Sequence, residues 1–324
     1  MLLDTKEVDG QLRVLADMDT GMDDALALIY LTSRPDVELS AVTCVNGCVD
    51  VDAVARNTTG VLAALDRRDI LVGKGSDRPL TSGGPGAQWV FGPTGLGDVR
   101  LPEAAVPGDL PPALDVMRRV LARPGPRTTL VCTGPLTNVA LLLRAHPEAA
   151  RQVAAVYVMG GSAAAGGNET PAAEFNILQD PEAADIVLRS GLPVVMYGLD
   201  VFTRVTATDA DIAALDASGR PGAVLAGRIL RELAARFATR GAFLGDAGVA
   251  VVATERRLAE LRRLKVAVEL RGGYTRGATV VDRRVTRPPH GDHADDWPYA
   301  EIVWDLDATG VAAQFVRSVI TKES

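Results

Sequence analysis

Four aspartates fall within eight positions of one short stretch, "LADMDTGMDD" (15–24). Asp17, Asp19, Asp23 and Asp24 stand where one apolar run stops and the next begins. A single aspartate there has an ordinary use: its carboxylate satisfies free N–H groups of a helix's first turn and meets the positive end of the helix dipole. Capping accounts for one or two of the four. Carboxylates this close repel and resist ionisation unless a cation lies among them. A hard divalent cation held by oxygens resolves the crowding. Gly21 permits the sharp turn that aims several side chains at one point. The spacing therefore favours a metal site over capping.

The elements around the cluster place it. Leu12, Val14 and Ala16 alternate up to Asp17 as in a strand; Met22, Ala25, Leu26 and Ile29 recur at helical spacing, and Pro35 closes that helix. A second strand is predicted at 37–45, a helical stripe from Val51 to Leu65 and a third strand at 69–73. This β-α-β-α-β order is that of a parallel sheet with helices on both faces, in which ligands bind at the strands' carboxyl ends. A Gly/Pro-rich stretch at 81–101 has little periodicity and reads as a functional loop, one that could order as a lid. Strands are then predicted at 128–133, 153–160 and 192–198, with helices at 136–146 and 181–191. Residues 208–262 read as mostly helical, "KVAVELRGG" and "GATVVDRR" as a hairpin, 289–298 as a polar loop, 300–307 as a strand, and a last helix runs to about Ile320. The expected architecture is one domain over 1–324, α/β, with an open, mostly parallel twisted sheet, helices on both faces, a helical C-terminal lobe and a small hairpin.

The bulk composition narrows the partners. Of 324 residues 47% are apolar, enough for a large core, and the formal net charge is −7. An acidic chain without a basic run argues against a nucleic-acid or anionic-membrane partner. No apolar run approaches the roughly 20 residues of a membrane span. The charged start does not resemble a signal peptide. Cys44, Cys48 and Cys132 cannot build a disulfide framework, and Cys44 and Cys48 form a C-x3-C pair without a second pair, too little for a zinc site. A cytoplasmic protein is expected.

Two families match the cluster. "DMDTG" (17–21) superficially resembles the D-x-D-x-T of haloacid-dehalogenase-type phosphatases, where an aspartate attacks phosphate beside Mg2+; Asp23 and Asp24 have no role there. The fuller resemblance is to the inosine–uridine-preferring nucleoside hydrolases. Their opening D-x-D-P-G-x-D-D-A is similar to residues 17–25, with Thr20 in place of Pro. "VGKGSDRPL" (72–80), "GLGD" (95–98), "TGPLTN" (133–138), "VMGG" (158–161), "GNETPAAEFNILQDPEAA" (167–184) and "YTRGATVVDRR" (274–284) resemble later stretches of that family in the same order.

That resemblance implies hydrolysis of a ribosyl C–N bond through an oxocarbenium-like transition state. It implies that Asp19, Asp24, the Thr133 carbonyl and Asp246 hold Ca2+. Asp19 would double as the general base toward a water that the ion polarises. Asp23, Asn168, Glu174 and Asn176 would bind the ribose, with Met159 as an apolar floor; alone, the asparagines read equally as turn residues and Met159 as core. Asp17 would orient the neighbouring ligands from behind. Asp180 reads independently as a helix N-cap before Pro181. A ribonucleoside substrate and a homo-oligomer, dimer or tetramer, are implied as well.

The chain departs from the family at the nucleobase end. Gly245 stands where many members carry a histidine, a candidate leaving-group acid, and Phe91 where many carry the histidine of V-H-G. Cys48 replaces the asparagine of G-N-V and reads equally as a buried apolar residue or as a ribose neighbour. Phe91 or Trp89 could stack on a nucleobase, which keeps purine nucleosides in view. His290 and His293 read as a solvated loop or, less simply, as a flap or subunit contact; His146 reads as a helix-end contact. A nucleoside- or ribose-binding protein without catalysis is the alternative to the hydrolase, and the phosphatase is the third reading.

Overall fold

Strand β1 (Leu12–Met18) sends Val14, Ala16 and Met18 into one apolar layer and Leu15 into another on the opposite face. A strand buried on both faces belongs inside a sheet covered by helices twice over. The computed structural model describes residues 11–82, 84, 86–102, 110–239, 241–286 and 291–321. His290 and the side chain of Trp89 lie outside the described residues. After β1 come α1 (Met22–Thr32), β2 (Val37–Cys44), α2 (Val51–Ala64), β3 (Leu71–Lys74), α3 (Gln88–Phe91), α4 (Ala113–Leu121), β4 (Thr128–Cys132) and α5 (Thr137–Ala145). They are followed by β5 (Val153–Met159), α6 (Phe175–Gln179), α7 (Pro181–Leu188), β6 (Val194–Tyr197), α8 (Leu199–Phe202), β7 (Thr206–Ala207), α9 (Asp209–Ala217), α10 (Pro221–Phe237) and β8 (Ala242–Phe243). The chain ends with α11 (Asp246–Thr254), β9 (Ala259–Val268), β10 (Thr279–Val281), β11 (Tyr299–Leu306) and α12 (Ala308–Ile320).

Nine strands form one sheet in the order β10-β9-β11-β6-β5-β4-β1-β2-β3. The seven from β11 to β3 run parallel, β9 lies antiparallel against β11, and β10 antiparallel against β9. The chain builds outward from β1 to β3, then restarts at β4 on the other side of β1. Carboxyl ends at such a reversal leave a crevice, the usual ligand position in this architecture. Asp17 of β1 pairs with Cys132 of β4 at that point, so the aspartate turn and Thr133 face each other across it.

The expected open α/β sheet with helices on both faces is present, and its hairpin is β9–β10. The hairpin is not separate, because β9 hydrogen-bonds to β11 and extends the main sheet. Residues 259–262, expected in a helix, belong to β9, where burial alternates from Ala259 to Arg262 rather than following a helical face. The C-terminal helical lobe consists of α9, α10 and α11, and the small β7–β8 ribbon pairs the segment before α9 with the segment after α10. Helix α3, which falls within the expected loop 81–101, and helices α4, α6 and α8 are additional to the expectation. Among the described residues no helix is long and apolar enough to cross a membrane.

Candidate active site

The turn from β1 into α1 is held from below. Asp17 is buried; its Oδ1 accepts from Thr43 Oγ1 at 2.6 Å and from Asn138 Nδ2 at 2.8 Å, while its Oδ2 has no hydrogen-bond partner among the described residues. Burial pushes its carboxyl up to about 7, against the pull of those two hydrogen bonds. Asn138 also donates to the Cys44 carbonyl at 3.0 Å and accepts from the Ser76 N–H at 2.9 Å. One amide thus braces three carboxyl-edge segments.

Above Asp17 the other aspartates diverge to separate backbone anchors. Asp19 Oδ2 accepts from the Cys48 N–H at 2.7 Å, and the Cys48 thiol donates to the Asp19 carbonyl at 2.8 Å. That approach needs glycine at position 47, because a Cβ there would lie 2.1 Å from Asp19 Oδ2. Asp24 caps its own helix, accepting from the Gly21 N–H at 2.8 Å, and its other oxygen accepts from the Thr133 hydroxyl. Asp23 accepts from the N–H of Asp246, the first residue of α11. Gly245 makes this approach possible. Its φ of +53° suits glycine, and a Cβ on it would stand 2.4 Å from Asp23 Oδ2.

One carboxylate oxygen each from Asp23, Asp24 and Asp246 lies within 4.8 Å of the others. Asp19 faces the same cavity but is turned to Cys48, so Asp23 rather than Asp19 completes the converging trio. Burial raises all four carboxyls: Asp24 to about 7, Asp23 upward, and Asp19 and Asp246 well above the ordinary range. Neighbouring carboxylates add to the rise at Asp19, Asp24 and Asp246. The trio fits a hard divalent cation: it offers only oxygens, and no lysine, arginine or histidine among the described residues lines the cavity to neutralise it.

The cavity, about 290 Å3, rises from this floor. On one side stands Met159 at the end of β5. Beside it, Glu174 caps α6 by accepting from the N–H groups of Asn176 (2.8 Å), Ile177 (3.1 Å) and Gly161 (2.9 Å). Burial nonetheless pushes the Glu174 carboxyl up to about 7. Asn176 Nδ2 donates to the carbonyls of Thr133 (2.9 Å) and Met159 (3.1 Å). The Thr133 carbonyl therefore already accepts one hydrogen bond, and one of its lone pairs remains. Asn168 Oδ1 accepts from the Phe175 N–H at 2.9 Å. Phe91, on α3, Phe175, Phe202 and Phe237 form an apolar wall with Leu233 and Phe243.

The profile for inosine-uridine preferring nucleoside hydrolases matches residues 14–313. The chain belongs to that family. It is accordingly a ribonucleoside hydrolase, an N-glycosidase. It is 41% identical over 276 residues, 84% of this chain and 88% of the other, to the pyrimidine-specific ribonucleoside hydrolase RihA of Enterobacter sp. (strain 638). Among solved structures it resembles a purine-preferring ribonucleoside hydrolase from Gardnerella vaginalis, with TM-score 0.84, 28% identity and 95% and 98% of the two chains covered. It also resembles an inosine-guanosine nucleoside hydrolase, with TM-score 0.85, 27% identity and 96% and 99% covered.

Every site residue expected from the nucleoside hydrolase resemblance lines this cavity, except Asp17, which lies behind it. The loop 81–101 contributes Ala87 and Phe91 and is tied down by Asn57, whose side chain donates to the Thr94 carbonyl at 2.7 Å. His293 is exposed and lines no part of the cavity, and His146 ends α5 beside Glu148. Asp180 caps α7 as read, accepting from the Ala183 N–H at 3.0 Å. Sequence reasoning missed Asn138, Glu169, Phe202, Leu233, Phe237 and Phe243. Asn138 closes the quoted "TGPLTN", and Glu169 and Phe175 fall in "GNETPAAEFN". Phe202 ends the short α8, and Leu233, Phe237 and Phe243 sit in the helical lobe, where nothing local marks them.

Proposed function

We propose that the protein hydrolyses the N-glycosidic bond of ribonucleosides with a calcium ion held at Asp23, Asp24 and Asp246, Asp19 and the Thr133 carbonyl being further donors at the same floor. The observation that carries this reading is the buried carboxylate trio at the sheet's switch point, facing an apolar wall across one small cavity. When bound, such an ion lets the crowded carboxylates ionise together and makes a nearby water more acidic.

The chain's own groups supply the rest. Asp19, held by the Cys48 N–H, keeps one oxygen available to take the proton of the attacking water. Asp23, Asn168, Glu174 and Asn176 offer the acceptors and amides that a polyhydroxylated ribose requires, over Met159. A carboxylate-rich pocket also favours the positive charge that develops on the sugar as the bond breaks. The aromatic wall receives the base. Pyrimidine ribonucleosides are the first class to test, since the relative at 41% identity carries that specificity in its name.

A phosphatase reading is disfavoured by the same lining. With no cationic side chain among its described residues, the cavity repels a phosphate dianion. The three cysteines are free and buried, which suits a reducing compartment. By resemblance the protein is a cytoplasmic homo-oligomer, dimer or tetramer, to be checked by its mass in solution. The deciding assay measures free ribose from uridine, cytidine, inosine and adenosine, with calcium and after chelation. Release that depends on calcium supports the proposal. Tight ribose binding without base release from any of them would leave a binding protein instead.

A further inference from the structure

The cavity has abundant carboxylates at its floor and almost no proton donor elsewhere. A nucleobase leaves readily only if it is protonated away from the glycosidic nitrogen, on another ring nitrogen of a purine or a carbonyl oxygen of a pyrimidine, so the hydrolase reading, on which this inference rests, requires a donor at the cavity's open side. Gly245 offers none, and its φ of +53° and the Asp23 carboxylate behind it leave no room for a side chain. Phe91 carries no exchangeable proton. The Cys48 thiol is committed to the Asp19 carbonyl. Glu174 has its oxygens turned to three backbone N–H groups.

Glu169 is the remaining acid. It sits between β5 and α6, next to Asn168, lining the cavity with Phe175 and Phe202 and outside the metal-binding trio. It is partly buried, and its backbone N–H is fixed by the Ala173 carbonyl at 3.3 Å. We infer that Glu169 is the acid that protonates the departing nucleobase. Burial raises its carboxyl above the ordinary range, with no hydrogen bond or cation among the described residues holding it ionised. In the step, the C1′–N bond breaks and its electron pair goes to the base. The Glu169 O–H proton passes to the base and leaves a carboxylate that regains its proton from solvent. Water oxygen bonds to C1′ and its proton goes to Asp19.

The test compares two leaving groups in wild type and Glu169→Gln. p-Nitrophenol departs as a stable anion and needs no proton; uracil and hypoxanthine do. The inference predicts that Glu169→Gln lowers kcat on uridine or inosine by about 10²-fold, within the usual span for a lost general acid, and leaves p-nitrophenyl riboside turnover within about twofold. Equal loss on both substrates would mark Glu169 as merely structural, and no loss on either would remove it from the reaction; each outcome overturns the inference while the hydrolase reading stands. A wild-type protein that cleaves neither substrate overturns both.

Discussion

The floor and the wall of the cavity are built in opposite ways. On the floor nearly every carboxylate is fixed by backbone: Asp19 by Cys48, Asp24 by Gly21, Asp23 by Asp246, Glu174 by three N–H groups. The wall is made of apolar side chains from distant segments, Phe91 from the early loop, Phe175 from α6, and Leu233 and Phe237 from α10. Hydrogen-bonded groups have narrow geometric tolerance, whereas apolar contacts are non-directional and accept volume-conserving exchange. On the proposed reading, such a site can change its nucleobase preference at the wall and keep its chemistry at the floor.

Asp19→Ala should have the largest effect. It removes a floor group that no wall residue can replace, and kcat should fall about 10³-fold on p-nitrophenyl riboside and uridine alike. A normal circular-dichroism spectrum must accompany the loss, and turnover unchanged on either substrate would take Asp19 out of the mechanism. Phe237→Ala or Phe91→Ala should instead raise KM for nucleosides by about tenfold, the size of one lost aromatic contact. Turnover of the p-nitrophenyl substrate at saturation should hardly move. If kcat fell equally on both substrates, the division between floor and wall would fail.

Much of the floor could be read in the sequence because it is local. Asp17 to Asp24 lie on one strand-to-helix turn, so their convergence follows from the turn itself. Asp246 is more than two hundred residues away and was placed by resemblance, since spacing cannot bring it there. The choice of Asp23 over Asp19 as the third converging oxygen depended on Gly47 and Gly245, whose empty Cβ positions only coordinates reveal. Phe202 and Phe243 gave no signal because a phenylalanine at the end of a short helix or ribbon has no period to identify its face. Helix α4 did have one: Val116, Met117, Val120 and Leu121 are buried, while Arg118 and Arg119 are exposed. The joining of β9 to β11 is a long-range pairing, decided by the sheet rather than by the hairpin's own turn.

Charge on the floor makes the fold's stability depend on pH. Asp17, Asp24 and Glu174 sit near 7 in the folded protein, against 3.8, 3.8 and 4.5 unperturbed. Groups raised on folding contribute stability that is complete below about pH 4 and lost as pH rises through 7. Metal-stripped protein should therefore melt about 5 °C lower at pH 8 than at pH 5.5, and calcium should restore more at pH 8, where protons compete less. An apo protein equally stable at both values would show that the carboxylates are not desolvated as described. The smallest effect belongs to Cys48→Ser. The Cys48 N–H, not its thiol, holds the Asp19 carboxylate, so kcat should change less than about threefold. A larger drop would give the thiol a role at the ribose.

On the proposed reading Asp23, Asp24 and Asp246 together hold one hard cation. Calcium titration calorimetry on metal-stripped protein tests it without any turnover. Wild type should bind one ion per chain, and Asp246→Asn should bind it more weakly by about 100-fold or more. No calcium uptake by wild type, or equal affinity in Asp246→Asn, would contradict it.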